Sequence, residues 1–372
     1  VMKKLISRAK NTKFGKDHDF KNILNYSDFS KNIPVRDYED IKPYVQQIID
    51  GEKNVLWPKK PIYFAKTSGT TSGEKYIPIT KDSMPFHVKG SVDATMHYIV
   101  ETNNTKFLNK KIIFVQGSPV LGSVNGIKTG RLSGIVAHYT PAFLRKNTMP
   151  SWEVNCIEDW EKKIETISTE TLNEDMAAIG GIPPWVVMYF DKLLSLSKKK
   201  TISEIFPSFS LFVYGGVNFS PYKNVFKKLI GKEIDSIEYY PASEGFFAYQ
   251  DSQKKEGLLI QLNSGIFYEF IELSEMQKPF PIRISIKDVE LNKNYVLIVS
   301  TNAGLWGYNT GDTIAFVSLK PCRIIVTGRH KHFISAFGEH VIGGEVEKAL
   351  KEATDQTGIS VKEFTVAPMI NP

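Results

Sequence analysis

Seven consecutive residues, Thr67-Ser68-Gly69-Thr70-Thr71-Ser72-Gly73, are all hydroxyl-bearing or glycine, and Lys75 follows close behind. Such a run suits an anion. Glycine lets the backbone approach, hydroxyls add donors, and the lysine adds positive charge. It is not a Walker loop: Gly69 and Gly73 are one residue too close, and Lys75 is not followed by Ser or Thr before a helix. A flexible surface hairpin is the plainer alternative, but hairpins need only about two to five loop residues. A second candidate is Tyr239-Tyr240-Pro241-Ala242-Ser243-Glu244-Gly245. Glu244 could hold Mg²⁺, which favours a few carboxylates with phosphate and water, and Tyr240 could stack on a purine. A third, Trp306-Gly307-Tyr308-Asn309-Thr310-Gly311-Asp312, sets a carboxylate in a glycine turn suited to a ribose diol. Its residues are also ordinary turn formers. A fourth is the basic cluster Thr327-Gly328-Arg329-His330-Lys331-His332, which could equally be a solvated linker.

The surrounding pattern says what positions these groups. The first sixty residues read as helical, with Ile41, Tyr44, Val45 and Ile48 at helical spacing before Gly51. Ile62–Lys66 and Lys75–Ile79 read as short strands around the polar loop, followed by a helix from Lys81 to Glu101. Then come a strand at Lys111–Val115, helices at Trp152–Ile167 and Pro184–Leu196, and a strand at Leu211–Tyr214. A helix at Pro221–Ile230 and a strand at Ser236–Tyr240 complete the alternation. This βαβ order predicts an α/β fold with a mostly parallel sheet. It also places the turn at Ser243 and Glu244 after a parallel strand's carboxyl end, where such sheets bind ligands. From Phe246 to Val326 the pattern changes to a β-rich subdomain. A helix opens at Gly343-Gly344, and a strand is predicted at Val361–Val366. The expected division is a large domain over residues 1–328, then a hinge and the truncated start of a small α+β domain over residues 329–372. Residues upstream of Val1 are expected to be missing.

Composition narrows the function classes. The hydrophobic fraction is 42% and the charged fraction 23%, ordinary values for a globular chain. No apolar run approaches the roughly 18 residues that span a bilayer, and the start has no apolar core of a signal peptide. No membrane partner and a cytoplasmic location are expected. Cys156 and Cys322 lack metal-ligand spacing, so zinc is not expected and reduced thiols are. The net charge of +7 is scattered rather than clustered, which argues against nucleic acid.

In order and spacing, the four motifs resemble those of the adenylate-forming enzymes: acyl-CoA synthetases, peptide-synthetase adenylation domains and luciferases. Thr67–Gly73, Tyr240 to Glu244 and Tyr308 to Asp312 look most like the Gretchen Hagen (auxin-responsive promoter) acyl-acid amido synthetases. So do Ala9 to Lys16 and Gly181-Ile182-Pro183-Pro184-Trp185. The resemblance implies ATP and Mg²⁺ as cofactors, a small carboxylic acid as substrate and an amine, an amino acid, as acceptor. An acyl-CoA synthetase or a non-catalytic nucleotide-binding module are the alternatives. It implies an ATP site of Ser68, Gly69, Thr70, Thr71, Ser72, Gly73, Gly215, Gly216, Tyr240, Ala242, Ser243, Asp312 and Arg329. Lys75, Ser243 and Glu244 would be catalytic, with Glu244 on Mg²⁺ and Lys331 and His332 at the hinge. The family has an acidic residue near the hinge where this chain has His332, and its adenylation lysine falls beyond Pro372. The acyl-binding segment, about residues 88–145, matches loosely. Arg131, His138 and Tyr139 are its polar candidates, and an ordinary surface or capping role is the better reading of each.

Overall fold

Runs of Val, Ile, Phe and Tyr bounded by Gly, Pro and Asn form strands, because branched and aromatic side chains pack well on a pleated surface. The computed structural model describes residues 1–68, 74–140, 145–278, 280–330, 333–336, 339–357 and 361. Its strands begin with β1 (Tyr63–Ser68), β2 (Glu74–Ile79), β3 (Lys111–Val115), β4 (Gly122–Val124), β5 (Ile127–Gly130) and β6 (Thr148–Met149). They continue with β7 (Met176–Gly181), β8 (Leu211–Gly215), β9 (Asp235–Ala242), β10 (Gly245–Tyr249), β11 (Leu258–Ile260) and β12 (Ile266–Glu272). The last are β13 (Arg283–Ser285), β14 (Asn294–Thr301), β15 (Tyr308–Leu319), β16 (Cys322–Arg329), β17 (Phe333–Ala336) and β18 (Glu339–Ile342).

Twelve of these strands make one sheet, in the order β13-β12-β14-β15-β16-β11-β10-β9-β8-β7-β3-β6. Its β6-β3-β7-β8-β9 end is parallel. From β9 through β13 every neighbouring pair is antiparallel. A second sheet runs β2-β1-β5-β4, and β17 and β18 form a separate hairpin. The α/β expectation holds. What the sequence split into a parallel part and a β-rich subdomain is a single sheet, in which the parallel strands are one end.

Helices cover the parallel end on both faces. Trp160–Thr171, Pro183–Ser197 and Lys223–Ile230 pack on one face, where Phe190, Phe212 and Phe226 join Ile113 and Ile179. Met84–Thr102 lies on the other, with Ala94 and Tyr98 against Ala178, Leu211, Ile237 and Phe246. The antiparallel end is packed instead by the N-terminal helices. Trp306 is fully buried among Phe14, Phe20 and Trp57, and its ring N–H donates to the Leu56 carbonyl at 3.1 Å.

Two local readings are corrected. The single helix expected over Trp152–Ile167 is two, Trp152–Asn155 and Trp160–Thr171. The break falls before Asp159, whose side chain accepts the Lys162 amide at 2.7 Å and so starts a new helix. The strand expected over Ser236–Tyr240 continues to Ala242 and turns straight into β10, so Ser243 and Glu244 are the tip of a two-residue hairpin. Most of the strand predicted at Val361–Val366 lies outside the described residues. No helix of the described residues is long and apolar enough to cross a membrane. Cys156 and Cys322 are both free thiols.

Candidate active site

The candidate residues gather where the sheet changes from parallel to antiparallel. β9 carries Tyr240, buried and edge-on to Phe247 with ring centroids 5.2 Å apart. The Tyr240 hydroxyl donates to Asp312 Oδ2 at 2.7 Å. Asp312 is on β15, directly opposite Arg329 on β16. Arg329 Nε lies 3.1 Å from Asp312 Oδ1, and its Nη2 donates to the Thr310 carbonyl at 3.0 Å. The sequence set Asp312 in a tight turn. It lies within the long strand β15, beside a register shift between Thr313 and Ile314. A shift of this kind re-aims a side chain without ending the strand.

The electrostatics at this junction are unusual. The half-buried Glu244 carboxyl is pushed up to about 7, first by loss of hydration and then by the negative charge of Asp312. Its own backbone hydrogen bond, Arg329 and Lys75 pull the other way. A carboxylate poorly solvated and facing a second carboxylate gains from a cation, and its oxygens fit a hard divalent ion such as Mg²⁺. Burial, followed by Asp312, also raises the Tyr240 phenol well above its ordinary value, so this hydroxyl is a donor at neutral pH.

Lys75 comes from the smaller sheet. It is on β2, opposite Thr67 of β1, and its ammonium sits over the Tyr38 ring at 5.6 Å. Its predecessor Glu74 is tied to Lys66 at 3.0 Å. Gly215 ends β8 beside β9. A Cβ there would meet the Tyr239 carbonyl oxygen at 2.5 Å, so only glycine allows this approach. At Gly216 an added Cβ would meet nothing within 4 Å, which leaves an open ledge beside the Tyr240 strand. Ser68 closes β1. Gly69, Thr70, Thr71, Ser72, Gly73, Lys331 and His332 lie outside the described residues. The structure thus brings Lys75, Tyr240, Ser243, Glu244, Asp312 and Arg329 to one junction, with Gly215 and Gly216 one strand away.

The chain and its fold have counterparts among known proteins. The GH3 family N-terminal domain matches residues 1–155, and the GH3 family central domain matches residues 259–329. The two matches together take in more than half of the chain. The chain belongs to the GH3 family. It is 32% identical over 78 residues to indole-3-acetic acid-amido synthetase GH3.2 of Arabidopsis thaliana, 21% of this chain and 14% of that protein. It is 22% identical over 360 residues to jasmonoyl–L-amino acid synthetase JAR4 of Nicotiana attenuata, 77% of this chain and 60% of that one. The chain therefore spans less than two thirds of these curated relatives. In structure it matches the AtGH3.15 acyl acid amido synthetase in complex with 2,4-DB with a TM-score of 0.77 at 16% identity. That match covers 94% of this chain and 70% of the other. A 2-hydroxyisobutyryl-CoA ligase matches with a TM-score of 0.63 at 12% identity, covering 94% and 71%. Both are likenesses of fold.

Within this GH3 chain, the acyl-pocket candidates occupy a different element. Arg131 is exposed at the start of the Leu132–Ala137 helix. His138 follows that helix, its Nε2 bonded to the Pro119 carbonyl at 3.0 Å and its ring edge-on to Trp152. The Tyr139 hydroxyl donates to that of Tyr63 at 3.3 Å, and burial with this bond pushes the Tyr139 phenol up to about 12. His138 and Tyr139 thus hold contacts around the helix end. The sequence also missed residues. Arg36 and Tyr38 reach the junction from the N-terminal segment. Their only sequence signal is the Asp37/Asp40 capping box that opens the Tyr38–Ile49 helix, which says nothing of a site.

Proposed function

We propose that this chain is the nucleotide- and acid-binding part of an adenylate-forming amido synthetase. A carboxylate oxygen of a small acid attacks the α-phosphorus of ATP. The bond to the bridging oxygen breaks, and pyrophosphate leaves with its electron pair. An amine nitrogen, that of an amino acid, then attacks the acyl carbon, loses a proton and releases AMP. The observation that carries this reading is the meeting of Glu244, Asp312–Arg329 and Tyr240 with Lys75 at the sheet junction, in a chain of the GH3 family.

Each group has a task that its geometry suits. Asp312, fixed from two sides, offers acceptor oxygens to a ribose diol. Tyr240 and the Gly215-Gly216 edge bound a flat slot for adenine. Ser243, at the hairpin tip, faces the α-phosphate beside Glu244. Lys75 and the Ser68–Gly73 loop take the β- and γ-phosphates. Glu244 would hold Mg²⁺, which when bound neutralises phosphate charge. Catalysis of this kind consists of positioning and charge stabilisation. Residues 1–328 form the large binding domain in this reading, and residues 329–372 begin the small one. The test is ATP–pyrophosphate exchange screened over aryl, indole and fatty acids, followed by an assay for amide against thioester product. Acid-dependent exchange with amide formation is expected. ATP binding without exchange for any acid in the complete protein would overturn the reading.

A further inference from the structure

The segment from Ser30 to Tyr38 crosses the junction as a strap. One side grips the start of β15. The Arg36 amide donates to the Gly307 carbonyl at 2.9 Å, and the Asn309 amide donates to the Arg36 carbonyl at 2.7 Å. Arg36 and Tyr308 pair as a parallel bridge. Arg283, nearly fully buried with Glu269 3.3 Å away, donates to the Ser30 and Ile33 carbonyls at 2.8 and 2.7 Å. The seat for this grip is Gly307, at φ +56°, where a Cβ would lie 2.6 Å from the Pro34 carbonyl oxygen. A side chain is excluded there by both strain and space.

The strap's other end grips β2. The Tyr38 hydroxyl accepts the Tyr76 amide at 2.8 Å, one residue after Lys75, and its ring lies under the Lys75 ammonium. Tyr38 itself is only 4% exposed. The Asp37 capping box fixes where this tyrosine enters its helix. One nine-residue stretch therefore bonds to the strand that carries Asp312 and to the strand that carries Lys75. Those strands belong to different sheets.

We infer that Tyr38 is a positioning residue that sets Lys75 at a fixed reach from the Asp312 strand, and so tunes affinity for the β- and γ-phosphates rather than for the nucleoside. This rests on the proposed nucleotide site and extends it. The hydroxyl holds the β2 backbone, and the ring holds the ammonium, so Lys75 is aimed before a ligand arrives. Preorganisation of that kind favours binding because less order has to be created on association.

The test is the ratio of ATP to AMP affinity, measured by calorimetry on the chain and its Tyr38→Phe variant. The variant keeps the ring and loses only the hydroxyl. ATP should weaken about three- to tenfold, the usual effect of one hydrogen bond, while AMP changes less than about twofold. In a Lys75→Gln background, the same Tyr38→Phe change should no longer alter ATP affinity, since the two residues act through one another. Parallel loss of ATP and AMP, or effects that simply add, would make Tyr38 a merely structural residue and overturn the inference. Should Tyr38→Phe unfold, Tyr38→Met, smaller than tyrosine and without the hydroxyl, tests the same selective loss of ATP. A chain that binds neither ATP nor AMP fails at the nucleotide site itself and takes the inference with it. Normal wild-type binding with an unchanged ATP-to-AMP ratio in the variant rejects the strap's role alone.

Discussion

The two ends of the twelve-stranded sheet solve the same burial problem differently. At the parallel end, β3, β7 and β8 are covered on both faces by helices and carry almost only apolar or small residues, as in Met176-Ala177-Ala178-Ile179-Gly180-Gly181. At the antiparallel end, the core lies toward the N-terminal helices, and the strands can carry charge. Asp312, Arg329, Arg283 and Glu269 all come from there. In the proposed reading the chemistry sits at the seam, where both conditions meet. The parallel end supplies β9, which carries the buried Tyr240 and leads into the hairpin tip at Glu244. The antiparallel end supplies the charged partners that a doubly covered strand could not hold.

One sheet need not mean one cooperative unit, and the largest predicted effects test this. Phe212→Ala at the parallel end and Trp306→Ala at the antiparallel end each remove a fully buried ring. Each should cost about 3–5 kcal/mol. If the seam couples the ends, denaturant unfolding followed by far-UV and aromatic signals stays a single transition in both variants. Two separated transitions in either variant would break the comparison into two independent halves.

A smaller effect sharpens it by pH. His87 is buried on the Met84–Thr102 helix, which packs against β9 and β10. Burial pushes its imidazole down to about 4 from an ordinary 6.5. The native state holds this ring neutral while the unfolded chain protonates it. The stabilisation is therefore complete above about 6.5 and lost as pH falls toward 4. A shift of this size corresponds to about 3 kcal/mol. Replacing His87 by Leu should flatten the stability curve between pH 7 and pH 4 relative to the wild type. A slope unchanged by the substitution would assign the acid sensitivity to other groups.

The smallest effect belongs to the site. Asp312→Ala should weaken ATP and AMP alike, by about 1.5–3 kcal/mol for a charged hydrogen-bonding partner. The substitution also releases Tyr240 and Arg329, which both bond to this carboxylate. Against 2′,3′-dideoxy-ATP the loss should shrink, since the diol is gone. An equal loss would mean that Asp312 acts on the protein rather than on the ribose.

Local signals decided much of this protein before folding is considered. Ile41, Tyr44, Val45 and Ile48 at helical spacing, the apolar run of β3 and the Pro183–Ser197 helix start are properties of short stretches, and each forms as its neighbours dictate. Lys75, Tyr240, Glu244, Asp312 and Arg329 could be singled out as candidates because each stands in or beside a short run of Gly, Ser, Thr, Asn or Pro. Helix breaks are less legible, as at Asp159, because a capping side chain competes with an otherwise helical run over only a few residues. The joining of the parallel and antiparallel strands into one twelve-stranded sheet was not legible at all. It depends on β11 pairing with β16, Leu258 opposite Ile324, segments far apart in the chain whose meeting no local pattern encodes. The same holds for the Tyr240–Asp312–Arg329 contact and for the strap at Tyr38. Sequence sets which residues can carry charge or hydrogen bonds, but their separation in space is fixed by long-range packing, and only the tertiary structure decides that.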